Sequence, residues 1–222
     1  MNMRSRRSVK SHEEELIGLL RSARVIPVLT IERAEDAVPL ARALVAGGVR
    51  VLEITLRTDA AVDAAKAIVA GVPEAIVGLG TVLTPEDLAR AGALGARFAV
   101  SPGATPELLD AAAASDLPFM PGIATASELM QAQARGFGLV KFFPAEQSGG
   151  IGALRALAGP FPQARFCPTG GIGESNAATW LTETNVVAVG GSWLCPAADI
   201  RSGNWTSITA ICNRTMKILE RK

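Results

Sequence analysis

At 222 residues, 49% hydrophobic and 19% charged, the chain has apolar surface enough for one well-buried core and too little charge for a disordered polymer, while two domains would each be small. No apolar run nears the ~20 residues that span a bilayer, and MNMRSRRSVKSHEEE has no apolar segment behind its basic residues, so neither membrane association nor a secretory signal is expected. The net charge is +1, and Cys167, Cys195 and Cys212 lack metal-ligand spacing and read as reduced thiols of a cytoplasmic protein.

Arg4, Arg6, Arg7 and Lys10 place +4 on the first ten residues and leave 18 basic against 21 acidic residues on the rest. Residues 1–10 are therefore set apart as a basic leader. Contact with nucleic acid, a short presequence and a solvated, frayed terminus all accommodate it, and the last is the ordinary behaviour of termini. No nucleic-acid partner is expected. Residues 11–222 are read as one domain. Ser11 and Glu14 stand at capping-box spacing ahead of Leu16, Ile17, Leu19 and Leu20, which predicts a first helix that precedes any strand.

From Arg24 onward, short β-branched runs alternate with Ala-rich segments of helical length. The strands fall at Val25–Thr30, Val49–Leu56, Ala75–Thr81, Arg97–Ser101, Pro118–Gly122, Leu139–Pro144, Ala164–Thr169 and Val186–Gly190. Helices fill the gaps. Thr84-Pro85 and Thr105-Pro106 pair an N-cap with proline at the first helical position, and Thr125 with Glu128 makes a capping box. Alternation alone suits an open doubly wound sheet as well as a barrel. Eight units in so short a chain favour an α/β fold with a single (βα)8 TIM barrel behind an N-terminal helix.

Side chains alternate along a strand, so Val51, Glu53, Thr55 and Arg57 share one face while Leu52, Ile54 and Leu56 share the other. The apolar set must face the helices, which turns Glu53 into the barrel and places Arg57 at its C-terminal mouth. The same alternation turns Leu139, Lys141 and Phe143 inward. Lys141 and Glu53 then face one another. They form either a structural ion pair or a reactive one, and a buried pair is rarely more stabilising than hydrophobic residues of equal volume, which invites a functional explanation.

Lys141 alone among Lys10, Lys66, Lys141, Lys217 and Lys222 lies in an apolar strand, LVKFFP. Desolvation and a neighbouring cation such as Arg57 both favour a free amine, which attacks carbonyl carbon. The sole histidine, His12, precedes the barrel, so a histidine-liganded metal and a Ser-His-Asp triad are not expected. Without a tyrosine to relay protons, Glu53 is the best acid or base near the lysine. Thr81, at the end of the third strand, is either a turn residue or a donor to a carboxylate.

Thr169-Gly170-Gly171 and Gly190-Gly191-Ser192 end the last two strands. Barrels often bind phosphate at these loops, where glycine lets N–H groups approach the oxygens and a helix start adds its dipole, though turns also use Gly-Gly freely. Cys167 reads as a small apolar lining residue, and the three tryptophans as packing.

The segments VLEITLRT, GLGTV, SPG, MPGIAT, VKFFPAE, FCPTGGI and GGSWL occur together in this order. With them the chain, from about Val25 to its end, resembles the 2-keto-3-deoxy-6-phosphogluconate (KDPG) and 4-hydroxy-2-oxoglutarate aldolase family. The resemblance implies a cytoplasmic class I aldolase of the Entner-Doudoroff type that cleaves KDPG to pyruvate and glyceraldehyde 3-phosphate without metal or organic cofactor. It further implies Lys141 as the Schiff-base residue, Glu53 as general acid/base acting partly through water, Arg57 and Thr81 on the pyruvyl carboxylate, and Phe143 beside the imine. Thr169, Gly170, Gly171, Gly191 and Ser192 would hold the distal substrate and its phosphate, in a homotrimer. Leu79 departs from the family, in which a small residue is usual two positions before the threonine, which leaves the fine shape of the interior open but not the chemistry. Cleavage of 4-hydroxy-2-oxoglutarate, alone or in addition, is the near alternative. A phosphosugar isomerase or binding protein is the distant one.

Overall fold

The computed structural model describes residues 3–220, with side chains from residue 9 to residue 219. The elements run α1 (Met3–Ala23), β1 (Val25–Leu29), a 3-10 turn (Ala34–Asp36), α2 (Ala37–Ala46), β2 (Val51–Thr55), α3 (Ala61–Gly71), β3 (Ile76–Gly80) and α4 (Pro85–Ala93). They continue with β4 (Phe98–Val100), α5 (Pro106–Ala114), β5 (Phe119–Met120), β6 (Gly122–Ile123), α6 (Ala126–Ala134), β7 (Leu139–Phe142) and α7 (Gly150–Ala158). The last are β8 (Arg165–Pro168), α8 (Ala177–Trp180), β9 (Val189–Gly191), α9 (Ala197–Ser202) and α10 (Trp205–Glu220).

Each strand pair is parallel, and the strands follow in the order β5-β4-β3-β2-β1-β9 and β6-β7-β8. The expected fifth strand is thus two short pieces separated by Pro121. Proline has no N–H to give to a ladder. Its carbonyl still accepts from the Lys141 N–H at 2.8 Å, so β5 pairs with β4 and β6 with β7 across the break. Parallel bridges Phe166↔Val186 and Thr169↔Gly190 join β8 to β9 and close the ring. The result is the expected α/β barrel.

Strand alternation sorts two apolar cores. Leu52, Ile54, Val77, Leu79, Val140 and Phe142 join the helices in the outer core, while Ile26, Val51, Phe98, Val100, Met120, Leu139 and Cys167 form an inner one. Leu79 therefore lies on the helix side, away from the interior whose fine shape its departure left open. Period two explains it: the inward positions of β3 are Gly78 and Gly80, where a Cβ would overlap the Phe98 ring and the Glu53 carboxylate respectively.

The N-terminal helix starts earlier than expected, since nothing in MRSRRSVK breaks it, and Ser11 and Glu14 lie in its interior rather than at a cap. Val9 is already buried. Leu16 and Leu20 enter the inner core and stop the N-terminal end of the barrel. Glu13 ties the plug in place, accepting from the Gly138 N–H at 2.5 Å and the Leu139 N–H at 2.7 Å, at the start of β7. The threonine caps are formed as expected: Thr84, Thr105 and Thr125 accept from the backbone of α4, α5 and α6, and Glu128 completes a capping box with Thr125. Among the described residues no helix is long and apolar enough to cross a membrane.

Candidate active site

Above the plug two charged side chains enter the interior beside Phe98 and Cys167. Glu53 on β2 and Lys141 on β7 are 1% and 3% exposed, and Lys141 Nζ donates to Glu53 Oε1 at 2.9 Å. Two charges this far from water persist only when paired. Gly80 leaves the space that the Glu53 carboxyl occupies. Lys141 Nζ also lies 5.4 Å from the centre of the Phe143 ring, over its face. Cys167, in register with Lys141 on β8, is fully buried, and burial pushes its thiol up to about 12. A thiol so disfavoured as thiolate is a lining group, as expected, and no nucleophile.

Lys141 forms the floor of a cavity of about 250 Å³ at the C-terminal mouth, lined also by Val28, Thr30, Arg57, Phe143, Thr169, Gly170, Gly171, Ile172, Gly191 and Ser192. The volume is just below the usual range of ligand pockets, ~300–1,000 Å³, and suits a small molecule. Eight of the ten residues expected at the site line this cavity. Glu53 lies behind Lys141. Thr81 is also outside the lining, and its hydroxyl instead accepts from Arg57 Nε at 3.2 Å. Thr81 has φ +58°, an uncommon conformation for a β-branched residue that concentrates at functional sites.

The two glycine loops lie side by side at the mouth, joined by the bridge between Thr169 and Gly190. Gly170 and Gly171 have φ of +102° and +74°, a region open to glycine at no steric cost. Asn176, the N-cap of the four-residue helix α8, donates to the Gly171 carbonyl at 3.2 Å and accepts from the Gly173 N–H at 2.8 Å, so the loop after β8 leads into a helix start. Any anion there would meet main-chain N–H groups and the hydroxyls of Thr169 and Ser192. Val28, Thr30 and Ile172 are lining residues that the sequence reading missed. Thr30 directly follows β1, and the alternation that turns Glu53 inward also puts Ile26, Val28 and Thr30 on one face. Thr55 donates to the Leu29 carbonyl at 2.8 Å, with the Thr30 hydroxyl 3.2 Å away, which knits β1 to β2 at the rim.

A closed α/β barrel whose floor is a buried amine beside a carboxylate, beneath a mouth with one guanidinium and two glycine loops, is built for chemistry on a small anionic carbonyl compound. The profile of the KDPG and KHG aldolase family matches residues 16–211. The chain is 50% identical over 209 residues to the KHG/KDPG aldolase of Escherichia coli strain K12, covering 94% of this chain and 98% of that one. A solved KDPG aldolase from Legionella pneumophila, with pyruvate captured as a covalent carbinolamine, superposes with a TM-score of 0.87 at 48% identity, covering 90% of this chain and 97% of that one. The Zymomonas mobilis ZM4 enzyme, solved with 3-phosphoglycerate, gives 0.86 at 44% identity over 91% and 95%. The chain belongs to the KDPG and KHG aldolase family. It is an aldolase, a lyase of the Schiff-base class, and the isomerase and silent-binder alternatives fall away.

Proposed function

We propose that the enzyme cleaves KDPG to pyruvate and glyceraldehyde 3-phosphate, with Lys141 as the imine-forming residue and Glu53 as its general acid/base. The observation that carries this reading is the buried Lys141–Glu53 contact of 2.9 Å at the floor of a cavity rimmed by Gly170-Gly171 and Gly191-Ser192. A proton passing from Nζ to Oε1 leaves the amine lone pair free to attack the keto carbon. Loss of water from the carbinolamine gives a protonated imine, which draws electrons from the carbon-carbon bond one position further along. Glu53, partly through a water molecule, removes the proton from the hydroxyl on the departing half. Glyceraldehyde 3-phosphate leaves, the enamine is protonated, and hydrolysis returns the amine and releases pyruvate. No metal or organic cofactor takes part in any of these steps.

Arg57, steadied by Thr81, holds the pyruvyl carboxylate, and Phe143 packs beside the imine. Thr169, Gly170, Gly171, Gly191 and Ser192 receive the phosphate. A second reading, cleavage of 4-hydroxy-2-oxoglutarate to pyruvate and glyoxylate, is favoured by the double name of the E. coli relative, and both substrates present the same pyruvyl end. The enzyme works as a cytoplasmic homotrimer in the Entner-Doudoroff pathway, with residues 11–222 as its one domain and residues 1–10 as a basic extension that contacts neither nucleic acid nor membrane. Light scattering at three times the mass of one chain tests the assembly. Borohydride reduction with pyruvate, followed by peptide mapping, tests the chemistry: the pyruvyl mass is expected on Lys141, and modification mainly at Lys66 would sink the assignment.

A further inference from the structure

Gly170 and Gly171 have no side chain to offer an anion, so their N–H groups must be held in place to bind one. What fixes them lies outside the cavity. The Glu146 N–H donates to the Gly170 carbonyl at 3.1 Å, just after the Ala145 N–H donates to the Thr169 carbonyl at 2.8 Å, so the segment beyond β7 runs alongside the loop. The Glu146 carboxylate then reaches across it: Oε1 accepts from Trp180 Nε1 at 2.9 Å and from Asn176 Nδ2 at 3.0 Å. Asn176 grips the loop from the other side, donating to the Gly171 carbonyl at 3.2 Å and accepting from the Gly173 N–H at 2.8 Å. The Glu146 stem packs so closely on Gly171 that a Cβ there would lie 2.6 Å from both its Cβ and its Cγ.

Trp180 is fully buried, its ring centre 6.4 Å from that of Phe142, the residue after Lys141 on β7. Glu146 therefore joins the strand that carries the amine, the short helix α8 and both glycines in one clamp. A carboxylate is an unfavourable neighbour for a bound phosphate, since like charges repel. Its place here is explained by geometry, as an acceptor that gathers two donors at a single oxygen.

We infer that Glu146, acting with Asn176 and Trp180, is a positioning residue that sets the Gly170–Ile172 loop for the phosphate of the substrate and so confers the preference for a phosphorylated sugar acid. The inference rests on the phosphate assignment proposed above. It requires Glu146 for its oxygen and not for its charge, and it separates phosphate recognition from the imine chemistry.

The test is steady-state kinetics on KDPG, on its unphosphorylated counterpart 2-keto-3-deoxygluconate and on 4-hydroxy-2-oxoglutarate, with wild type, Glu146→Ala, Glu146→Gln and Asn176→Ala. Wild type should strongly prefer KDPG to 2-keto-3-deoxygluconate. Glu146→Ala should raise KM for KDPG about tenfold, the worth of one to two hydrogen bonds, with kcat and the rates on both unphosphorylated substrates nearly unchanged. Asn176→Ala should do the same. Glu146→Gln, which keeps the acceptor and removes the charge, should restore KM to the wild-type value or below. An unchanged KM in Glu146→Ala, an equal fall on all three substrates, or a Glu146→Gln variant as poor as the alanine each overturn the clamp while leaving the phosphate site standing. A wild type indifferent to the phosphate group removes the site itself, and the clamp with it.

Discussion

The energetic oddity at the residue scale is an ammonium and a carboxylate sealed together in the barrel. Removing one member of such a pair typically costs ~3–5 kcal/mol because the other is stranded, whereas replacing both with apolar groups is often neutral. Lys141→Met should therefore lower the melting temperature by roughly 10 °C for a chain of this size, and Lys141→Met with Glu53→Leu should recover most of that loss while remaining inactive. Calorimetry on the set decides the matter, and a double variant no more stable than the single would mean that the pair is kept for stability. Glu53→Gln should still form the imine but cleave about 100-fold more slowly or worse, as expected when a general acid/base is lost. Turnover at the wild-type rate would remove Glu53 from the mechanism. Both residues were legible in the sequence because period-two alternation reveals a charge on the wrong face of an apolar strand. Thr81 was not legible as the partner of Arg57, since φ +58° is a property of the folded turn.

At the scale of the element, rules that depend on neighbours a few residues apart carried over from sequence to structure. The caps on α4, α5 and α6 are formed where Thr-Pro and Thr-x-x-Glu place them. Features decided by distant chain were not legible. The break at Pro121 matters only because β4 and β7 lie on either side of it, whereas the outward aim of Leu79 follows from period two along β3. Glu13 belongs here too, because its partners Gly138 and Leu139 are remote in sequence. Burial raises its carboxyl above the ordinary 4.5, outweighing the two N–H donors that act in the opposite direction. The folded chain then binds this proton more tightly than the unfolded chain, so the contribution to stability is complete below the unfolded value and is lost as pH rises through the folded one. Relative to Glu13→Gln, which keeps an acceptor but does not titrate, wild type should lose melting temperature between pH 4.5 and neutrality. A gap that stays constant across that range would show that desolvation does not dominate at Glu13.

For the molecule as a whole, Leu16 and Leu20 of α1 make the barrel a vessel with one door. In the arrangement proposed above, the keto-acid half of the substrate is fastened at the floor and the phosphorylated half waits at the threshold, so what entered last should depart first. Aldehyde release should then precede keto-acid release, with pyruvate the product that meets the empty enzyme. Pyruvate should therefore inhibit competitively against KDPG, and glyceraldehyde 3-phosphate noncompetitively; the same pattern for both products would mean that they leave in either order. The traffic rule has a metabolic side. On that order a rising pool of pyruvate should compete with incoming sugar acid for the vacant barrel and be displaced when sugar acid is plentiful, whereas a rising pool of the aldehyde should turn back the laden enzyme, with no surplus of sugar acid to relieve it.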